Sequence, residues 1–255
     1  MNHLLNISRS GINGLQKKLD VTSHNIANVN TTGYKEQKLA FKELLANPIL
    51  NSQAPISADA QASIYRGVRA EDEHVNFQQG TFASTGNSWD LALEGEGFFG
   101  IRDENNQLTF TRDGSFGLDH TGRLVNSQGR AVDMVNYVPE NNWPKGNVNI
   151  DQLGNVSIKS DNHQQTLVGK INVYQPGNSN QLEAIGDGQF QLVEGGQAQL
   201  SNQNFKIHQG SLEQSNVNIA QTMTDLIVTQ RAYSLNTKVL QSTDDLLNIT
   251  NRFTD

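Results

Sequence analysis

The chain has 255 residues, 35% hydrophobic and 18% charged, with 19 Lys+Arg against 26 Asp+Glu for a net charge of -7. That length supports one large or two ordinary domains, and the absence of Cys excludes a disulfide scaffold and any thiolate site. A sequence pI of 5.3 argues against nucleic acid as a partner. No apolar run reaches the ~20 residues needed for membrane insertion, and residues 1–18 lack the apolar stretch of a cleavable signal peptide.

The chain opens on a helical pattern. Leu5, Ile12, Leu19 and Ile26 recur every seventh residue, and Ser8, Leu15, Thr22 and Val29 follow three positions later. This is a heptad seam, apolar on one line and mixed on the other. Gly11 and Gly14 weaken it by up to ~1 kcal/mol each relative to Ala, so the helix is expected to be marginal alone. Asn28 to Thr32 and then Gly33 supply its stop. Residues 41–70 carry Pro48, Pro55 and an Ala/Ser/Gln/Asn bias, and read as a connector.

From there the period changes to two. Leu91 and Leu93 alternate with Ala92. Leu108, Phe110 and Arg112 share one side of a strand, and Phe116 and Leu118 begin another. Val148 and Ile150 face Val156 and Ile158 across a turn carrying Gly154. Ile171, Val173 and Tyr174, then Phe190, Leu192 and Val193, then Phe205 and Ile207 continue the pattern. Asp113-Gly114, Thr121-Gly122, Gln128-Gly129, Asp187-Gly188 and Gly195-Gly196 punctuate it with turns. Short strands with closely spaced turns predict an antiparallel all-β domain. Over the whole chain, 30 Asn and 23 Gln imply a wet, hydrogen-bonding surface.

The C-terminal pattern is helical again. Leu212, Ile219, Leu226, Tyr233, Leu240 and Leu247 recur at sevens. A second set, Val228, Ala232, Leu235, Val239, Leu246, Ile249 and Phe253, lies on another face, because Leu226 and Val228 are about 200° apart on a helix. One partner needs one stripe, so two stripes predict burial on two sides. Neither Pro nor Gly occurs between Val217 and Phe253, room for about 35 residues, a rod of roughly 55 Å. The expected fold is mainly β with terminal α-helices. Residues 1–40 plus 211–255 form a discontinuous helical coiled-coil assembly domain, 41–70 a connector, and 71–210 an antiparallel all-β domain inserted between the helices.

Catalytic chemistry is not evident. Gly95-Glu96-Gly97-Phe98-Phe99-Gly100 fits G-x-G-x-x-G with Asp119 about 20 residues on, but no helix begins at the third Gly, so the glycines read as tight turns. His3, His24, His74, His120, His163 and His208 include no pair at metal-ligand spacing. Asp103-Glu104 and Asp244-Asp245 are adjacent acids rather than a pair facing across a cleft. The expectation is no enzyme, no catalytic residues, no cofactor and no metal. Asp90, Arg112 and Asp113 read as shape-giving residues at strand ends, where Arg brings five donors to unpaired backbone groups.

Four segments together resemble one family, the axial rod and hook proteins of the bacterial flagellum. The first runs Ser23-His24-Asn25-Ile26-Ala27-Asn28-Val29-Asn30-Thr31-Thr32-Gly33-Tyr34-Lys35, then Phe41. The second is Gln79-Gly80 through Thr85-Gly86, then Trp89-Asp90-Leu91-Ala92-Leu93-Glu94-Gly95-Glu96-Gly97-Phe98-Phe99. The third is Phe110-Thr111-Arg112-Asp113-Gly114-Ser115-Phe116, with Gly122-Arg123-Leu124-Val125. The fourth is Gly210-Ser211-Leu212-Glu213-Gln214-Ser215-Asn216-Val217, then Gln230-Arg231-Ala232-Tyr233 and Thr243-Asp244-Asp245-Leu246-Leu247. Trp89 stands where the family usually has Leu, and Phe110 where it has Tyr.

The resemblance covers nearly the whole chain and is greatest for the distal or proximal rod proteins and their Gram-positive relatives. It implies a terminal coiled-coil layer, an outer β-domain, and helical self-assembly into a torque-transmitting tube. The implied partners are copies of itself, other rod and hook subunits and the flagellar export apparatus. The implied location is the basal body outside the cytoplasmic membrane, reached without a cleaved signal peptide. Two other readings fit parts of the chain. A secreted adhesin or glycan-binding β-module with a coiled-coil oligomeriser explains the middle and the heptads but not motifs at both ends. A hydrolase needs converging carboxylates that the sequence does not display.

Overall fold

A computed structural model describes residues 2–45, 65–103, 105–160, 164–177, 181–193, 195–201 and 204–252. It is mostly antiparallel β with one N-terminal and one C-terminal helix. The chain divides into two compact units, one of residues 1–27, 37–76 and 218–255, the other of residues 28–36 and 77–217. Residues 28–36 thus belong with the β-unit and 37–76 with the helices, where the sequence suggested boundaries near 40, 70 and 210.

The first unit holds helix α1 (Asn2–Ala27), a hairpin of β1 (Gln37–Leu45) and β2 (Tyr65–Val75), and helix α2 (Ile219–Arg252). α1 packs along both α2 and the hairpin. Its Gly14 is not a break. Gly14 is buried, and a Cβ there would lie 2.9 Å from Cε1 of Phe41, so the missing side chain makes room for the ring. The stretch expected as a connector over 41–70 enters and leaves as paired strand, with Phe41 opposite Ala70 and Leu45 opposite Tyr65. Its middle, 46–64, lies outside the described residues. Charged residues stand between the hairpin's apolar ones, as in Lys38-Leu39-Ala40-Phe41-Lys42 and Val68-Arg69-Ala70-Glu71, and Lys42 forms an ion pair with Glu71. α2 starts at an Asn cap: Asn218 Oδ1 accepts the N–H of Gln221 at 3.2 Å.

In the second unit a four-stranded sheet runs in the order Met134–Asn136, Gln165–Ile171, Asn155–Ser160, Gly146–Ile150. A larger sheet is centred on Phe98–Arg102, which pairs with Leu108–Thr111, Ala131–Val132 and Val173–Pro176. Two ribbons complete it, Leu91–Gly95 with Phe205–Gln209 and Phe82–Ser84 with Ser211–Glu213. The core contains Leu91, Leu93, Phe99, Val156, Ile171 and Ile207. Ala92 is as fully buried as its neighbours, so this strand is covered on both faces rather than alternating. The predicted hairpin around Gly154 forms, with Ile150 opposite Val156.

Three turns share one device. Asp119, Asn126 and Asp151 each accept backbone N–H groups two and four residues on. The exposed edge of the four-stranded sheet is closed by a side chain. Gln209 accepts from Ile150 N–H at 3.1 Å and donates to Val148 C=O at 3.0 Å, standing in for a further strand.

Candidate functional site

The functional features lie in two places, one in each unit. In the helical unit they are the faces of α1 and α2. The predicted seam residues Ile12, Leu19 and Ile26 of α1 are half-buried, as are Leu226, Tyr233 and Leu240 of α2, while Ile219 is exposed. The side chains of Leu5 and Leu247, and residue Phe253, lie outside the described residues. The deepest positions were not the predicted ones. Thr222 and Thr229 of α2 are 5% and 2% exposed. With Asn236 and Thr243 they follow Ile219, Leu226, Tyr233 and Leu240 by three residues each, which makes them the second line of the heptad. The hydroxyls of Thr222, Thr229 and Thr243 donate to the carbonyl four residues back, so these small polar residues carry no unmet donor into the seam. A search that counts only apolar periodicity misses them, although their seven-residue spacing is visible.

Of the second predicted stripe of α2, Ala232 is half-buried and the other described members are exposed. Val228, Leu235, Val239, Leu246 and Ile249 are 51–63% exposed on the face away from Leu226, Tyr233 and Leu240. Gln230 and Arg231 are also exposed on α2.

In the β-unit, segments far apart in sequence converge on Glu213, which is 1% exposed. Lys35 Nζ lies 2.6 Å from its Oε1 and Arg112 Nη1 3.3 Å from its Oε2. The N–H of Gly80 donates to Oε1 at 2.8 Å. Lys35 also donates to Gln78 C=O at 2.8 Å. Arg112 donates to the carbonyls of Leu93 at 3.1 Å and Gly95 at 2.7 Å, and its guanidinium carbon sits 5.2 Å from the Phe98 ring centroid. Burial pulls both the Lys35 ammonium and the Arg112 guanidinium below their ordinary values, against the opposing attraction of Glu213. A lone Glu whose cationic partners are so distant in sequence gives no local signal.

The other motif residues are arranged around this cluster. Gly33, at φ +66°, donates its N–H to Glu213 C=O at 2.8 Å. Asn28 accepts the hydroxyl of Thr31 at 3.1 Å, and Tyr34 is half-buried. Asp113 accepts Thr32 Oγ1 at 2.8 Å and Ser115 Oγ at 2.9 Å. Asn216 accepts Glu36 N–H at 2.7 Å and donates to Gln78 C=O at 2.9 Å. Asp90 accepts from Asn87 at 2.9 Å and bridges to Ser115. Gly114 closely approaches Leu91, whose carbonyl oxygen would lie 1.7 Å from a Cβ. Gly97 turns at φ 133°, and Phe98 packs edge-on against Phe77 and Phe190. The Gly95–Gly97 turn joins two strands, not a strand and a helix. Thus the motif residues of the β-unit are joined by these hydrogen bonds and close contacts, and Gln230 and Arg231 stand apart on α2.

Among the described residues no group of three or more His, Cys, Asp or Glu is placed to hold a metal, and no helix is long and apolar enough to cross a membrane.

Three family models match in chain order. They are described as flagella basal body rod protein, over residues 5–35, flagellar hook protein FlgE/F/G D1 domain, over 92–158, and flagellar basal body rod FlgEFG protein C-terminal, over 208–253. The chain is 31% identical over 253 residues to flagellar basal-body rod protein FlgG of Buchnera aphidicola subsp. Schizaphis graminum, covering 94% of this chain and 95% of that one. FlgG of Borreliella burgdorferi is 32% identical over 252 residues, with 95% of each chain covered. FlgF of Caulobacter vibrioides is 31% identical over 252 residues, with 96% of this chain and 95% of the relative covered.

Proposed function

The chain belongs to the flagellar basal-body rod family, and on that premise we propose that its copies assemble helically into a torque-transmitting tube, with α1 and α2 forming a coiled-coil layer between them. It is a structural subunit of the rod, and the glycan-binding alternative has no support from the family. The observation that carries the assembly reading is the uncovered stripe Val228, Leu235, Val239, Leu246 and Ile249 on α2. Five large apolar side chains on one helix face form a stripe of the kind that marks an interaction surface. A non-closing head-to-tail contact between identical copies yields an open helix rather than a ring.

The same reading makes other rod and hook subunits its neighbours and the basal body outside the cytoplasmic membrane its location, reached through the flagellar export apparatus. No catalytic role is proposed.

Sedimentation of the full chain beside Leu235→Asp tests the contact. A charge in a packed apolar seam costs several kcal/mol unless paired. The variant is expected to stay small at concentrations where the parent grows, with the β-unit's thermal transition unchanged. Equal growth of both chains contradicts the reading.

A further inference from the structure

The hydrogen bonds of residues 28–36 run mainly to the C-terminal strand of the β-unit and the residues after it. Gly33 N–H, Lys35 Nζ and Glu36 N–H go to Glu213 C=O, Glu213 Oε1 and Asn216 Oδ1. The C-terminal segment has a second set of ties of its own. Ser211–Glu213 pairs with Phe82–Ser84, Gln214 N–H donates to Thr81 C=O at 2.8 Å, and Thr81 Oγ1 donates to Gln214 Oε1 at 2.9 Å. The arrangement is therefore directional. The C-terminal segment can lie on residues 80–84 alone, whereas most described ties of the N-terminal segment need the C-terminal one already present.

The charges give the same direction. Lys35 and Arg112 are both removed from water around one carboxylate. Without that carboxylate, Lys35 would keep Gln78 C=O but lose its only ion pair among the described residues, and a buried ammonium so placed is relieved most cheaply by moving into water. Arg112 is held by the carbonyls of Leu93 and Gly95 and cannot leave. The segment carrying Lys35 can.

We infer that Glu213 is a positioning residue that makes docking of the N-terminal motif, residues 28–36, conditional on prior placement of the C-terminal strand. The chain end made last thus locks down the end made first. Until Ser211–Glu213 pairs with Phe82–Ser84, the segment leading out of α1 lacks its bonds to Glu213 and is held less firmly on the β-unit, through ties such as Thr32 to Asp113 and Lys35 to Gln78 C=O.

Site-resolved amide hydrogen exchange of the full-length chain tests this, because exchange reports opening segment by segment. In Lys35→Met, which leaves Glu213 paired with Arg112, the amides of Gly33 and Glu36 should exchange at least about tenfold faster, with Gln214 and Asp133 near parental rates. In Gly80→Ala, whose Cβ would lie 2.0 Å from Gln214 C=O, Gln214 and Gly33 should both accelerate while Asp133 holds. Three outcomes overturn the inference: equal acceleration at Asp133, which marks plain loss of global stability; no change at Gly33 in Lys35→Met; or acceleration of Gln214 in Gly80→Ala with Gly33 still protected.

Discussion

The side chain of Asn25 grips the backbone of Gln37 from both sides, accepting its N–H at 2.9 Å and donating to its carbonyl at 2.8 Å. Asn25 is 4% exposed on the last turns of α1, and Gln37 is the first residue of β1. A carboxamide matches a peptide group donor for acceptor, so this pair fixes where the strand begins relative to the helix. Asn25→Ala is expected to destabilise the helical unit by about 1–3 kcal/mol, the cost of stranding two partly buried backbone groups. Urea unfolding followed by helix ellipticity measures it.

Arg112→Ala leaves the Lys35–Glu213 pair but strands the carbonyls of Leu93 and Gly95 and removes a cation from the Phe98 ring. The expected loss is about 2–4 kcal/mol from the β-unit. Thermal unfolding of the full chain checks it. An unchanged transition together with lost assembly would instead make Arg112 a contact between subunits.

Gly33→Ala meets two penalties together. The backbone stands at φ +66°, and the new Cβ would lie 2.4 Å from the nitrogen of Asp113, a backbone atom that cannot rotate aside. A loss of at least about 2 kcal/mol is expected. Loss of docking appears as rapid tryptic cleavage after Lys35, whose side chain is 1% exposed in the intact chain.

Tyr174 supplies a pH dependence. Burial, then the nearby Asp133 carboxylate 2.5 Å from its hydroxyl, push its pKa up to about 12 from an ordinary 10.0. The folded state then holds this proton where the unfolded chain has lost it. The stability from Tyr174 is fully present below pH 10 and is lost as pH rises toward 12. Burial alone would raise Asp133, but hydrogen bonds from Tyr174, Asn172 and Arg102 hold it below the usual carboxylate range. Stability should fall between pH 10 and 12, and less steeply in Tyr174→Phe, as read by urea midpoints across that range.

What the sequence disclosed follows from which interactions are local. The Gly154 hairpin was legible because Asp151, Gly154 and the flanking valines and isoleucines lie within a dozen residues. The seam of α2 is legible in its Leu and Tyr line, and its Thr line is hidden because a polar side chain such as Thr222 or Thr229 gives no apolar signal although it is buried. The β1–β2 hairpin is hidden for the opposite reason: exposed charges such as Lys38, Lys42, Arg69 and Glu73 interrupt its apolar positions. Glu213 lies within a motif but carries no legible role there, since its meaning comes from Lys35 and Arg112, which only the fold brings near.

Electron microscopy of the purified full-length chain at high concentration tests the central claim most directly. The parent should polymerise into tubes or tubular fragments, and Val239→Asp, which charges the uncovered stripe of α2, should abolish them while leaving the β-unit folded. Tubes that form equally well from Val239→Asp would contradict the account, because copies would then be joining through some other face.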